Sequence, residues 1–184
     1  MHYYLSTWWR WFRRCGYSRG FGVQSPSAYS FIRYVINEHY PYYAYQELQE
    51  QLPQLNNYHI YLMRNPSSKN KGLGFALAGN FYPDFLLWLV HKQTGKQYLT
   101  VIDPKGIRNM SVDDAKINLY KEIKTIEAQA GGDLVLNSFI LSVTPFIEMV
   151  DKSVSADKLK ERNVLFMLDN KQYLDDMFER ILQS

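Results

Sequence analysis

The feature that most constrains the fold is a rhythm that starts at Gly72, where short apolar runs begin to alternate with runs suited to helices. Strands that are apolar throughout, rather than at every second residue, are buried on both faces. When helices separate such strands, the sheet is mostly parallel and covered on both sides. The rhythm predicts strands at "GFALAG" (74–79), "QYLTVI" (97–102), "TIEAQ" (125–129), "DLVLN" (133–137) and "NVLFML" (163–168). It predicts helices at "YPDFLLWLVHK" (82–92), "SVDDAKINLYKEI" (111–123), "TPFIEMVDKSV" (144–154) and "YLDDMFERIL" (173–182). Ser111 caps the second helix with Asp114 in the capping-box position, and Thr144 followed by Pro145 opens the third.

Before residue 70 the pattern is helical and aromatic. Ser25 is a natural N-cap with Pro26 at the first helical position; Tyr29, Ile32, Val35 and Ile36 make an apolar stripe, and Pro41 ends it. "YYAYQELQEQLPQL" reads as another helix, broken near Pro53. "NNYHIYLMRN" suits a helical turn or a strand, and so short a run does not decide between them. In residues 3–14, Tyr4, Leu5, Trp8, Trp9, Trp11 and Phe12 recur at near-helical spacing, with Arg10, Arg13 and Arg14 towards the C-terminal end. Such a helix can dock on its own core or a partner's, or lie in a membrane surface. The expected organisation is an N-terminal helical extension, residues 1–70, packed on an α/β core, residues 71–184.

Apolar residues make up 46% of the 184-residue chain and aromatics 16%, which argues for a folded core. A net charge of +3, from 21 basic and 18 acidic residues, is too balanced to argue for nucleic acid on its own, and no nucleic-acid partner is expected. The single cysteine, Cys15, forms no internal disulfide, which suits a reducing compartment and a cytoplasmic location. No apolar run approaches the roughly 18 residues of a membrane span. The start lacks the order of a secretory signal, because its arginines follow the aromatics. The four histidines show no metal-ligand spacing.

Residues 21–50 carry a resemblance. Phe21, Gly22, Val23, Gln24, Ser25 and Pro26, then Tyr42, Tyr43, Ala44, Tyr45, Glu47 and Leu48, are similar in type and spacing to the N-terminal segment of class I S-adenosylmethionine-dependent methyltransferase-like proteins of Bacteroidetes. "FALAG", "LTVID", "DLVLNS" and "VLFMLDN" follow in the order of that family's first, second, fourth and fifth strands. The resemblance implies a Rossmann-like methyltransferase fold of about five mostly parallel strands in the order 3-2-1-4-5. The last two strands of the family fold are missing, and strand 163–168 is left at the sheet's edge. A bare apolar edge invites pairing with another chain, so a protein partner or a homo-oligomer through 163–168 is expected.

The resemblance also assigns a site at the carboxyl ends of the strands. Gly79, Asn80, Asp103 and Ser138 are the candidate cofactor-binding residues. Gly79 is a structural turn or a cofactor contact, and Asp103 a ribose-binding acid or a turn aspartate before Pro104. Two family features are eroded: Leu77 stands where strand one ends in an acid, and Pro83 replaces a second glycine. Asp169 and Asn170 match the metal-binding pair of catechol-type relatives, but Ser138 replaces their third acid, so no metal is expected. No catalytic residue is assigned. The reading that follows is a degenerate methyltransferase-like protein that acts through protein partners, with no cofactor or a weakly bound S-adenosylmethionine. Its alternatives are a divergent methyltransferase acting on a small-molecule acceptor, and a peripheral membrane protein docking through residues 3–14.

Overall fold

Among the described residues, five strands form one open mixed sheet in sequence order: β1 (Tyr58–Arg64), β2 (Phe85–His91), β3 (Gln97–Lys105), β4 (Leu134–Ser142) and β5 (Val164–Phe166). β1, β2 and β3 are antiparallel neighbours, while β4 lies parallel to β3 and β5 parallel to β4. The computed structural model describes residues 52–65, 81–170 and 172–184. The expected helices before residue 51, the Trp-Arg segment 3–14, the strand 74–79, Leu77, Gly79 and Asn80 lie outside the described residues.

The class is therefore α/β, but the sheet differs from the expected order 3-2-1-4-5. The main cause is residues 82–92. Their continuous apolar run satisfies a buried strand as well as a helix, and the chain takes the strand. Phe85, Leu87 and Leu89 are buried on one face, while Leu86, Trp88 and Val90 are half-buried on the other. The turn decides it. Gly95 adopts φ +74° between β2 and β3, and His91 Nδ1 accepts from Gln93 N at 3.3 Å and Thr94 N at 3.2 Å. Two apolar runs joined through a short glycine-containing loop make a hairpin. Residues 125–129, expected as a strand, continue the helix α1 (Ala115–Ala130), which ends at Gly131 with φ +64°. Residues 144–154, expected as a helix, hold only a 3₁₀ turn at Phe146–Glu148, followed by a loop. "NNYHIYLMRN" resolves as β1.

Helices cover both faces. On one side, α3 (Tyr173–Gln183) lays Leu174, Met177, Phe178 and Ile181 against Phe85, Leu87, Ile102 and Leu141, with Leu55 of the 3₁₀ turn Pro53–Asn57 beside them. On the other side, α1 packs Leu119 and Ile123 on Val101 and Leu136. Beside it, α2 (Ala156–Glu161) sets Leu159 among Ile117, Ile140, Val164 and Phe166. β5 is an edge strand of only three residues, all buried. No helix among the described residues is long and apolar enough to cross a membrane.

Candidate functional site

β3 alternates its side chains, so Val101, Asp103 and Lys105 share the face that α1 covers. The β2–β3 register pairs Phe85 with Ile102, and the next step sets Asp84 opposite Asp103. Asp84 O accepts from Asn65 N at 2.7 Å, so the backbone of Asp84 is turned to β1. Lys105 O accepts from Val143 N at 3.1 Å, so the odd residues of β3 bond towards β4. Continued one step past the end of the ladder, the register places Asp84 and Asp103 as a non-hydrogen-bonded pair, the closer of the two antiparallel kinds, whose Cβ atoms are typically about 4.5–5.5 Å apart. Pro104 falls two steps beyond the last β2 pair, Phe85 with Ile102, where its missing N–H costs no ladder bond.

Two carboxylates opposed in this way disfavour each other's charge. The pKa of Asp84 is raised, first by burial and then by the charge of Asp103, against the pull of Arg64, Lys105 and Lys116. Asp103 is buried and pairs with Lys105 at 2.9 Å. The pKa of Lys105 is raised overall. Burial works against its charge, and the proximity of Asp103 outweighs that penalty. Lys116, on the first turn of α1, lies against Lys105, and its pKa is lowered by burial and by that neighbouring ammonium. The ring of Phe81 lies 6.0 Å from Lys105 Nζ and 5.2 Å from Lys116 Nζ.

Asp103, Lys116, Ser138 and Arg162 line one cavity of about 10 Å³, room for about one water molecule. The structure therefore brings together two of the four expected cofactor residues, Asp103 and Ser138. Asp103 is no turn residue, because it lies inside β3. Asp169 and Asn170 sit two strands away and brace loops. Asp169 Oδ2 accepts from Phe146 N at 2.7 Å, and Asn170 Nδ2 donates to Asp176 Oδ2 at 2.7 Å. Asp84, Lys105 and Lys116 were not among the expected site residues. Their signal was an acid opening one apolar run and an Asp-Pro-Lys closing the next. It becomes legible only once the two runs are read as antiparallel neighbours.

The loop from β3 to α1 is fastened along its length. Ile107 N donates to Thr144 Oγ1 at 3.1 Å, Val150 N to Arg108 O at 2.8 Å, and Arg162 Nη1 to Val112 O at 2.9 Å. Asp151 Oδ2 accepts from Val112 N at 2.9 Å. That bond and the one from Ser153 N hold its pKa down at about 2. Asp114 caps α1 by accepting from Lys116 N at 2.8 Å.

Compared with models of known protein families, with curated proteins and with solved structures, the chain matches none.

Proposed function

We propose that the protein is a divalent-cation-dependent phosphodiester hydrolase acting on nucleic acid. The observation that carries this reading is the row formed by Asp84 and Asp103 on adjoining strand ends, with Lys105 two residues on and on the same face. The donor set suits a hard cation. Both candidate ligands are carboxylates; among the described residues no group of three or more His, Cys, Asp or Glu could hold a metal ion, so a cation here would rest on these two alone. Mg²⁺ takes one or two carboxylates and fills its remaining positions with water and substrate phosphate. The pKa of Asp84 is raised first by burial and then by the charge of Asp103, and a cation held between the two carboxylates relieves that second cause. When bound, such an ion supplies Lewis-acid charge at a phosphate and favours a water nucleophile.

The protein's own groups do the rest. Hydrolysis adds water to phosphorus and breaks one P–O ester bond, and the departing oxygen takes up a proton. Lys105, kept charged beside Asp103, holds fixed positive charge where negative charge grows on the phosphate. The cavity at the site is far too small to enclose a small-molecule substrate. Among the described residues, a substrate laid across the rim of the sheet, as a polymer is, suits this reading better than an enclosed one. This departs from the expectation of no nucleic-acid partner, which rested on net charge alone; a local cluster of lysines serves without a basic chain overall. A methyl-donor site draws less support, because the cavity that joins Asp103 and Ser138 among the described residues has room for about one water molecule.

The test is cleavage of supercoiled plasmid and labelled oligonucleotides with Mg²⁺, Mn²⁺ or EDTA. Cation-dependent nicking is expected, falling about 100-fold or more in Asp84→Asn, Asp103→Asn and Lys105→Ala. No cleavage with either cation, together with calorimetric binding of S-adenosylmethionine, would return the reading to a methyltransferase-like site.

A further inference from the structure

Lys116 breaks two stability rules at once. It is the second residue of α1, where the helix dipole disfavours a cation. It also lies against a second ammonium, that of Lys105. Only Lys105 has a carboxylate within 4.0 Å among the described residues, Asp103 at 2.9 Å. A lysine stem at a helix start is free to swing outwards into water, yet this one is held half-buried. Its Nζ lies over Phe81 at 5.2 Å, and the side chain lines the cavity with Asp103. The pinned loop fixes where α1 begins, and the Asp114 cap fixes its first turn. Two ammonium groups held side by side, which share the charge of Asp103 and feel that of Asp114, form an arrangement that an anion with several oxygens relieves further.

We infer that Lys116 is a second substrate-facing cation, which with Lys105 grips the phosphate backbone of the nucleic acid laid across Asp84 and Asp103. The inference rests on nucleic acid being the substrate. Lys116 contributes grip on the polymer and no share of the cation site. Its removal therefore separates substrate affinity from cation affinity.

The experiment measures fluorescence anisotropy of a labelled duplex oligonucleotide over a sodium chloride series with Ca²⁺ present, alongside calorimetric titration with Mn²⁺. Lys116→Ala is expected to weaken oligonucleotide binding about tenfold and to flatten the slope of log K against log salt by roughly one. Mn²⁺ affinity does not fall, since the ammonium removed acts on both carboxylates; Lys116→Arg keeps the slope, and Lys121→Ala on the exposed side of α1 changes neither quantity. An unchanged slope in Lys116→Ala overturns the inference, as does an equal loss in Lys121→Ala. A wild-type protein whose binding depends on Lys116 but which cleaves nothing retains the grip and sinks the hydrolase reading. A protein that cleaves with Lys116→Ala unaltered in slope and KM retains the hydrolase and sinks the grip.

Discussion

Asp84 sets function against stability within one side chain. Its pKa is raised in the fold by burial and by Asp103, so the folded protein holds its proton more tightly than the unfolded chain does. Stability is therefore lost as pH rises from the ordinary carboxylate range through the raised value, which leaves a penalty on the charged form. Asp84→Asn removes it. In cation-free buffer this variant is expected to melt a few degrees above the parent at pH 7, with no difference near pH 3, where both states are protonated. Differential scanning fluorimetry across pH checks this, and a lower Tm at pH 7 would contradict it. Cation binding needs the ionised form, so cleavage should rise with pH through a range above that of an ordinary carboxylate. At this scale the sequence pointed to Asp103 and Ser138. It hid Asp84 and Lys116, because only the strand register and the helix start place them beside Asp103.

The elements differ in how plainly they could be read. The C-terminal helix shows its stripe openly: Leu174, Met177, Phe178 and Ile181 recur at helical spacing, and all four are buried. Phe178→Ala, which empties the centre of that interface, should cost about 3–5 kcal/mol in urea denaturation. The 144–154 segment was illegible for the opposite reason. Its cap-like Thr144 and Pro145 serve the neighbouring loop, with Thr144 Oγ1 accepting from Ile107 N. Asp151 is the clearest lock of that loop. Its pKa of about 2 lies below the ordinary 3.8, so the stability it contributes is present above pH 4 and lost as pH falls towards 2. Asp151→Ala should lower Tm at pH 7, with the difference closing over that acid window. It should also raise KM for the oligonucleotide while leaving Mn²⁺ affinity unchanged, because the loop sets where α1, and with it Lys116, begins and holds neither carboxylate.

For the molecule as a whole, a cation that binds the folded state and ignores the unfolded one raises its stability by mass action. The gain is about 2.7 kcal/mol at a concentration 100 times Kd. Mg²⁺ or Mn²⁺ should raise Tm in a concentration-dependent way that EDTA reverses and Asp103→Asn abolishes; a rise that survives Asp103→Asn places the cation elsewhere. Association through residues 163–168 remains a proposal. β5 offers only three residues of backbone edge, with every side chain turned into the core, and light scattering of Leu165→Asp and the parent measures what that edge supports.

The sequence by itself determined that the chain builds an α/β layer around short apolar strands, that β3, β4 and β5 lie where "QYLTVI", "DLVLN" and "NVLFML" stand, and that the last helix is amphipathic. Local chemistry settles these, because burial and periodicity are written in adjacent residues. Only the tertiary structure decided that residues 82–92 are a strand, that β2 runs antiparallel to β3, and that the sheet follows sequence order. Strand pairing joins residues remote in sequence, and an apolar run carries no mark of its partner or direction. The candidate site is a product of that pairing: two carboxylates 19 residues apart become neighbours when a hairpin closes between them.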